Sequence, residues 1–235
     1  MNIALIGYGK MGKEIEAIAI QRKHNISLIV EKDNADLVTD SDLKRADVAI
    51  EFSTPHSVIQ NIHTCVNAGL PIVVGTTGWY DKFDEIKQFC EANKGGLFYA
   101  SNFSLGVNLF FKVNQYLAEL MNYYPEYDIS MEEIHHVHKL DKPSGTAITL
   151  AKQILEKVER KKSWSLEKGK KEDLFIQDVR EGEVPGTHII RYQSAIDDIE
   201  IMHKAHNRKG FALGAVVAAE FLAGKKGIYT MQDIV

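Results

Sequence analysis

Three of the chain's nine histidines fall within four positions, in the segment Glu133-Ile134-His135-His136-Val137-His138-Lys139. Imidazole, with a reference pKa near ~6.5, is the side chain best suited to exchanging a proton at neutral pH. The Lys139 ammonium would hold a carboxylate, or supply a proton once neighbours lower its pKa. Read as a strand, the segment puts His135, Val137 and Lys139 on one face and His136 and His138 on the other. His135 and Lys139 would then address one ligand, with His136 joining them only where the strand ends or bends. Directly afterwards, Asp141-Lys142-Pro143-Ser144-Gly145-Thr146 opens a helix with Ser144 placed to cap it, although Ala147 stands where a capping box wants Glu. The backbone N–H groups of Gly145 and Thr146, with the Thr146 hydroxyl, form an anion site at that helix start. Combined with His136 and Lys139, this describes a pocket for a small acidic molecule carrying one or two carboxylates. Adjacent histidines also serve as metal ligands, but no H-E-x-x-H spacing occurs, so no metal is expected. A solvated polar strand edge is the plainer alternative.

A second set of residues sits at the start of the chain. Gly7-Tyr8-Gly9-Lys10-Met11-Gly12 follows the apolar run Asn2 to Ile6 and precedes Ile15, Ile18 and Ala19 at helical spacing. A G-x-G-x-x-G turn between strand and helix is built for a dinucleotide pyrophosphate: Gly7 makes the turn, Gly9 lets backbone approach the phosphates, and Gly12 lets the helix pack closely. Glu31 closes the next strand, near the expected spacing of about 20 residues, where a carboxylate accepts from the ribose hydroxyls and repels a 2′-phosphate. That favours NADH, while Lys32 beside it would pair with a 2′-phosphate and let NADPH be used. Gly75-Thr76-Thr77-Gly78 and Ala100-Ser101-Asn102-Phe103 follow later strands, where Gly75, Thr76, Thr77 and the residues from Ala100 to Phe103 could bind a nicotinamide and its ribose. Ordinary turn chemistry accounts for these two segments equally well.

The elements that must position these groups alternate. Apolar runs Asn2 to Ile6, Ile26 to Val30, Asp47 to Phe52, Pro71 to Val74 and Leu97 to Tyr99 read as strands, separated by helical stretches Glu14 to Lys23, Val58 to Ala68 and Asp81 to Ala92. This alternation predicts βαβ units and a parallel sheet. After Asn102 to Gly106 the pattern changes to a long helix, Val107 to Met121, an extended run, Asp128 to Lys139, and a helix from Ala147 to about Arg160. A charged stretch, Glu156 to Asp173, reads as a helix end plus solvated loop. Strands Asp173 to Arg180, Thr187 to Ser194 and Asp197 to Ala205 follow, then a last helix, Phe211 to Ala223, and a tail.

With 235 residues and 45% hydrophobic content, the chain supports one large or two small cores and is not disordered. A net charge of −4 leaves no chain-wide basic footprint for nucleic acid. Apolar runs such as Phe211 to Val217 are broken by glycine and fall far below the ~20 residues of a membrane span. Cys65 and Cys90 stand apart and read as reduced core fillers; with no leader-like start, the expected setting is cytoplasmic.

Taken together, the chain resembles the 4-hydroxy-tetrahydrodipicolinate reductases (dihydrodipicolinate reductases) of lysine and diaminopimelate biosynthesis. The resemblance rests on the Gly7 to Gly12 turn, Phe52 to Pro55, Val74 to Gly78, Ser101 to Asn108, and Glu133 to Ala147. It extends through His203-Lys204-Ala205, Arg208, Phe211 and Gly214-Ala215. It implies that His135 is the catalytic proton donor or acceptor and Lys139 a second donor. His136, Gly145 and Thr146 would bind a small cyclic dicarboxylate, and Gly7 to Gly12, Glu31, Gly75 to Thr77 and Ala100 to Phe103 the cofactor, NADH or NADPH. Lys10 departs from the family's usual arginine, and Lys142 from a common alanine; the stretch between Val30 and Asp47 is short. The family places its substrate domain as an insertion and associates as a homotetramer through that domain's sheets. The expected fold is therefore α/β: a Rossmann-type parallel-sheet domain (1–104 and 209–235) plus an α+β substrate and oligomerisation domain with a mixed sheet (105–208). Another NAD(P)-dependent reductase of a small carboxylic acid, or a non-catalytic dinucleotide sensor, would share the glycine turn. Neither needs the His-His-x-x-Lys and Pro-Ser-Gly-Thr segments together.

Overall fold

Alternation along strand β1 (Asn2–Ile6) sends Ile3 and Leu5 into one core and Ala4 and Ile6 into another. A strand buried on both faces reads as a continuous apolar run, and such strands belong in parallel sheets covered by helices on either side. In the computed structural model, which describes residues 1–207 and 209–235, that is what β1 does. The chain forms two compact units, Met1–Leu105 with Lys209–Val235, and Gly106–Arg208. Arg208, one of the residues carrying the resemblance, lies outside the described residues.

The first unit holds a six-stranded, all-parallel sheet of β1, β2 (Asn25–Val30), β3 (Val48–Glu51), β4 (Ile72–Val74), β5 (Gly96–Tyr99) and β11 (Gly227–Tyr229), in the order β11-β5-β4-β3-β1-β2. Helices α1 (Lys10–Gln21) and α7 (Lys209–Leu222) pack on the Ile3 and Leu5 face through Ile15, Ala19, Ala215 and Ala219. Helices α3 (Val58–Asn67) and α4 (Phe83–Ala92) cover the other, where Cys65 and Cys90 lie free and buried. A four-residue helix, α2 (Asp40–Leu43), occupies the short stretch before β3. From β1 the chain runs to β2 on one side and β3 on the other, so a crevice opens at the carboxyl ends of β1 and β3. Strand β11 corrects the reading of residues after α7 as a tail: three residues are too few to display a period.

The second unit is a five-stranded mixed sheet, in the order β10-β9-β6-β8-β7, covered on one face by α5 (Leu105–Met121) and α6 (Gly145–Lys157). Its strands are β6 (Asp128–His135), β7 (Ser163–Ser165), β8 (Asp173–Arg180), β9 (Thr187–Gln193) and β10 (Asp198–Lys204). Two expectations are corrected. The run expected to extend to Lys139 stops being a strand at His135, because the Lys139 N–H turns back onto the His136 carbonyl at 3.1 Å. Val137 and Lys139 therefore do not share a strand face with His135. The charged stretch before Asp173 is not all loop; it contains β7, whose parallel pairing with β8 is set by tertiary contacts rather than by its own composition. Among the described residues no helix is long and apolar enough to cross a membrane.

The turn from β1 into α1 is sterically closed at two of its three glycines. Gly7 has φ +91°, and a Cβ there would lie 2.2 Å from the Phe52 carbonyl oxygen. A Cβ at Gly12 would lie 2.4 Å from the Gly7 carbonyl oxygen, whereas one at Gly9 would meet nothing within 4 Å. Gly12→Ala should cost about 1–3 kcal/mol by overpacking, lowering the thermal midpoint by several degrees, while Gly9→Ala leaves it nearly unchanged. Calorimetry of the two variants checks this; equal midpoints would mean that the helix does not depend on the close approach.

Candidate active site

At the carboxyl ends of β1 and β3, helix α1 begins at Gly9 with no side chain capping it and no acidic residue in its first turn. Its leading N–H groups, the exposed Lys10 and the open space over Gly9 together make a surface suited to an anion. The residues present fit the pyrophosphate of a dinucleotide. Tyr8 is half-buried and its hydroxyl donates to Glu16; Met11 is half-buried. Glu31 and Lys32 are both exposed just beyond β2, with the Glu31 N–H donating to Asn34 Oδ1 at 2.8 Å.

The loops after β4 and β5 divide their labour. Thr76 is buried and its hydroxyl accepts the Ser53 N–H at 2.8 Å, while its carbonyl accepts from Trp79 Nε1 at 2.9 Å. Thr76 thus holds its loop, and Thr77, exposed, faces outward. Gly75 is half-buried because the Phe52 ring fills the space beside it. Phe103 is buried in the core against Phe52 and Phe98, whereas Ala100 is half-buried, Ser101 exposed, and Asn102 Oδ1 accepts the Ser104 N–H at 2.9 Å. Beneath these loops lies Glu51, which sequence reasoning passed over: it is fully buried, accepts from Ser53 and Asn61, and has its carboxyl pushed up by burial.

In the second unit the helix-facing side of the sheet changes character along its length. Inward positions of β6 run Ile129, Met131, Glu133, His135, all buried. Register places His188 of β9 and Asp178 of β8 on either side of Glu133, and Arg180 of β8 beside His135. The apolar core therefore ends in a polar cluster drawn from three strands. Glu133 Oε1 accepts the Ser144 N–H at 2.8 Å, and its Oε2 lies 3.4 Å from His135 Nδ1 and 3.5 Å from His188 Nε2. Burial alone would raise the Glu133 carboxyl, but the nearby His188 ring and the Ser144 N–H outweigh it and hold the group well below the usual carboxylate range. Burial lowers His135 to about 4; Glu133 opposes this, while His188, Lys139 and Arg180 add to it. These three side chains, Glu133, His135 and His188, are also close enough for one metal ion, since their ligand atoms all lie within 4.8 Å of one another.

The remaining expected residues lie beside this cluster. Ser144 caps α6, its hydroxyl accepting the Ala147 N–H at 3.1 Å. Gly145 is exposed and Thr146 half-buried, at the helix start where N–H groups have no intrahelical acceptor. Lys139 is half-buried and pairs with Asp141 at 2.8 Å. Arg180 holds the turn that carries it, donating to the Asp141 carbonyl at 2.6 Å and the Lys139 carbonyl at 3.3 Å. Lys142 pairs with Asp178 at 3.2 Å. His136 is half-buried, and His138 lies apart in solvent beside Glu183. Asp178, Arg180 and His188 were missed as site residues, although each is a polar residue at an inward position of a strand that is otherwise apolar on that side.

Comparison with known proteins gives the same chemistry a family. Residues 1–103 match the family model "Dihydrodipicolinate reductase, N-terminus" and residues 106–235 the model "Dihydrodipicolinate reductase, C-terminus". The 4-hydroxy-tetrahydrodipicolinate reductase of Christiangramia forsetii is 50% identical over 236 residues, covering 100% of this chain and 97% of that protein. That of Neisseria meningitidis serogroup B is 34% identical over 230 residues, covering 93% and 83%. The dipicolinate-bound dihydrodipicolinate reductase from Paenisporosarcina sp. TG-14 shares the fold, with a TM-score of 0.82 at 24% identity over 100% of this chain and 99% of that one. With both of its units matched, this chain belongs to the dihydrodipicolinate reductase family.

Proposed function

We propose that the protein catalyses the NAD(P)H-dependent reduction of 4-hydroxy-tetrahydrodipicolinate to tetrahydrodipicolinate, a step of lysine and diaminopimelate biosynthesis. The observation that carries this reading is the polar end of the mixed sheet, where a buried histidine, a lysine and a helix start converge in a chain of this family. When bound, the reduced nicotinamide supplies the hydride, delivered to the ring carbon that loses hydroxide. His135 gives a proton to the neighbouring carbon, replacing the one that carbon loses when hydroxide departs; the hydroxide and that lost proton leave together as water. Gly145 and Thr146 hold one carboxylate of the substrate through their N–H groups, and His136 and Lys139 the other, so developing negative charge meets donors already in place. Lys139 serves as a second proton donor.

In the first unit, the turn from Gly7 to Gly12 takes the pyrophosphate, Glu31 the adenosine ribose, and Gly75 to Thr77 with Ala100 to Phe103 the nicotinamide side. An exposed carboxylate at Glu31 favours NADH, and Lys32 next to it gives NADPH a counter-charge. A cytoplasmic homotetramer would associate through the mixed sheets, supported by Met202, which β10 leaves exposed on the face away from the helices.

His135→Gln should lose roughly 10² to 10⁴ in turnover with little change in substrate affinity, the usual scale for a general acid. Lys139→Ala should weaken both, because it has both roles. Steady-state kinetics, following reduced-cofactor absorbance with the product of the preceding synthase step as substrate, gives both numbers; wild-type turnover in His135→Gln removes that residue from the chemistry. In the same assay, NADH should be preferred, with NADPH tolerated to some degree. A preference for NADPH of about a hundredfold or more would contradict the role given to Glu31.

A further inference from the structure

Within the second unit, two buried atoms face each other without a hydrogen bond. Glu133 Oε2 and His135 Nδ1 are 3.4 Å apart, both are buried, and neither has a hydrogen-bond partner among the described residues. The other face of the same carboxylate is fixed: Oε1 takes the Ser144 N–H at 2.8 Å, at the cap of the helix whose next two residues are Gly145 and Thr146. His188 closes the cluster, its Nε2 3.5 Å from Glu133 Oε2 and 3.2 Å from Ser144 Oγ, its ring packed edge-on to His135 with centroids 5.1 Å apart. Gly186 contributes no side chain beside these rings, and a Cβ there would come within 3.1 Å of His135 Nε2 and 4.0 Å of His188 Cε1.

We propose that Glu133 is the positioning residue for the proton donor: its carboxylate receives the His135 Nδ1–H, fixing the tautomer and ring so that Nε2 faces the substrate, while His188 and the Ser144 N–H hold the carboxylate in place. This rests on the reading of His135 as the acid. At 3.4 Å the two atoms are within a small ring movement of a hydrogen bond, and catalytic hydrogen bonds often tighten only around substrate. In turnover the imidazolium gives its Nε2 proton to the ring carbon and keeps Nδ1–H on Glu133; the neutral ring then regains a proton from solvent. Because one carboxylate also anchors the Ser144 cap, the proton donor and the anion-binding helix start are placed by the same group.

The charged and titratable groups around His135 are Glu133 on β6, His188 on β9, Asp178 and Arg180 on β8, and Lys139 in the following turn. Of these, Glu133 favours the imidazolium, whereas His188, Lys139 and Arg180 oppose it. An acid is active while protonated, so kcat falls as pH rises through its pKa. Glu133→Gln removes the favourable charge and should move that basic limb to lower pH by about one unit. It should also lower kcat roughly 10- to 10²-fold through misplacement, with the substrate KM held within about threefold because the glutamine amide oxygen still accepts the Ser144 N–H at the helix start. An unchanged kcat and an unmoved limb in Glu133→Gln, beside a His135→Gln that has lost turnover, would overturn this inference alone. Retained turnover in His135→Gln would overturn the acid itself. If Glu133→Gln does not fold, nitrogen-15 NMR of the histidine-labelled wild-type protein decides: at a pH where His135 is neutral, its signal, assigned by its loss in His135→Gln, should report the Nδ1-protonated tautomer. The Nε2-protonated form would overturn the proposal.

Discussion

Glu133 keeps a carboxylate where no solvent reaches it, and the arrangement of the second unit follows from what that charge requires. A buried carboxylate is costly to desolvate and is tolerated only when donors and counter-charges surround it. Here they come from every side: the Ser144 N–H at the start of α6, His188 from the antiparallel neighbour, and Arg180 from the parallel one, its Nη2 3.8 Å from Oε1. Satisfying one anion therefore draws together a histidine strand, a helix cap and two further strands. Arg180 then passes the constraint on to the turn of Lys139 through two carbonyls. A cluster assembled this way is stiff, since none of its members can turn away without leaving a buried charge unpaired.

The ends of the two sheets offer different physics. A parallel sheet buried on both faces ends in loops and a helix start, whose backbone N–H groups and small side chains suit a phosphate-bearing cofactor. The mixed sheet instead ends in titratable side chains. Burial holds His135 toward its neutral form, and the doubly charged substrate would counter this by favouring the imidazolium. On this account the proton donor becomes competent when the dicarboxylate binds.

Much of this was legible in the sequence because the relevant signals are local. The glycine turn carries its own context of strand before and helix after, and the core strands of the first unit are unbroken apolar runs. Ser144 as a cap and the helix it opens are equally local. What escaped was long-range or too short to be periodic. Strands β7 and β11, three residues each, exist because a longer neighbour offers a free edge. The strand reading of Val137 to Lys139 failed because a turn hydrogen bond, invisible in composition, ends β6 at His135. His188 and Arg180 lie 53 and 45 positions beyond His135 and join it only through register. Their signal was nevertheless present: Leu174, Ile176, Asp178, Arg180 and His188, Ile190, Tyr192 are inward series in which apolar gives way to polar at one end.

The central claim is that this polar end of the mixed sheet receives a cyclic dicarboxylate. A crystal structure of the protein with reduced cofactor and pyridine-2,6-dicarboxylate tests it most directly. The account predicts one carboxylate within hydrogen-bond distance of the Gly145 and Thr146 N–H groups, and the ring within reach of His135 Nε2. A dicarboxylate bound elsewhere, with those N–H groups and His135 untouched, would contradict it.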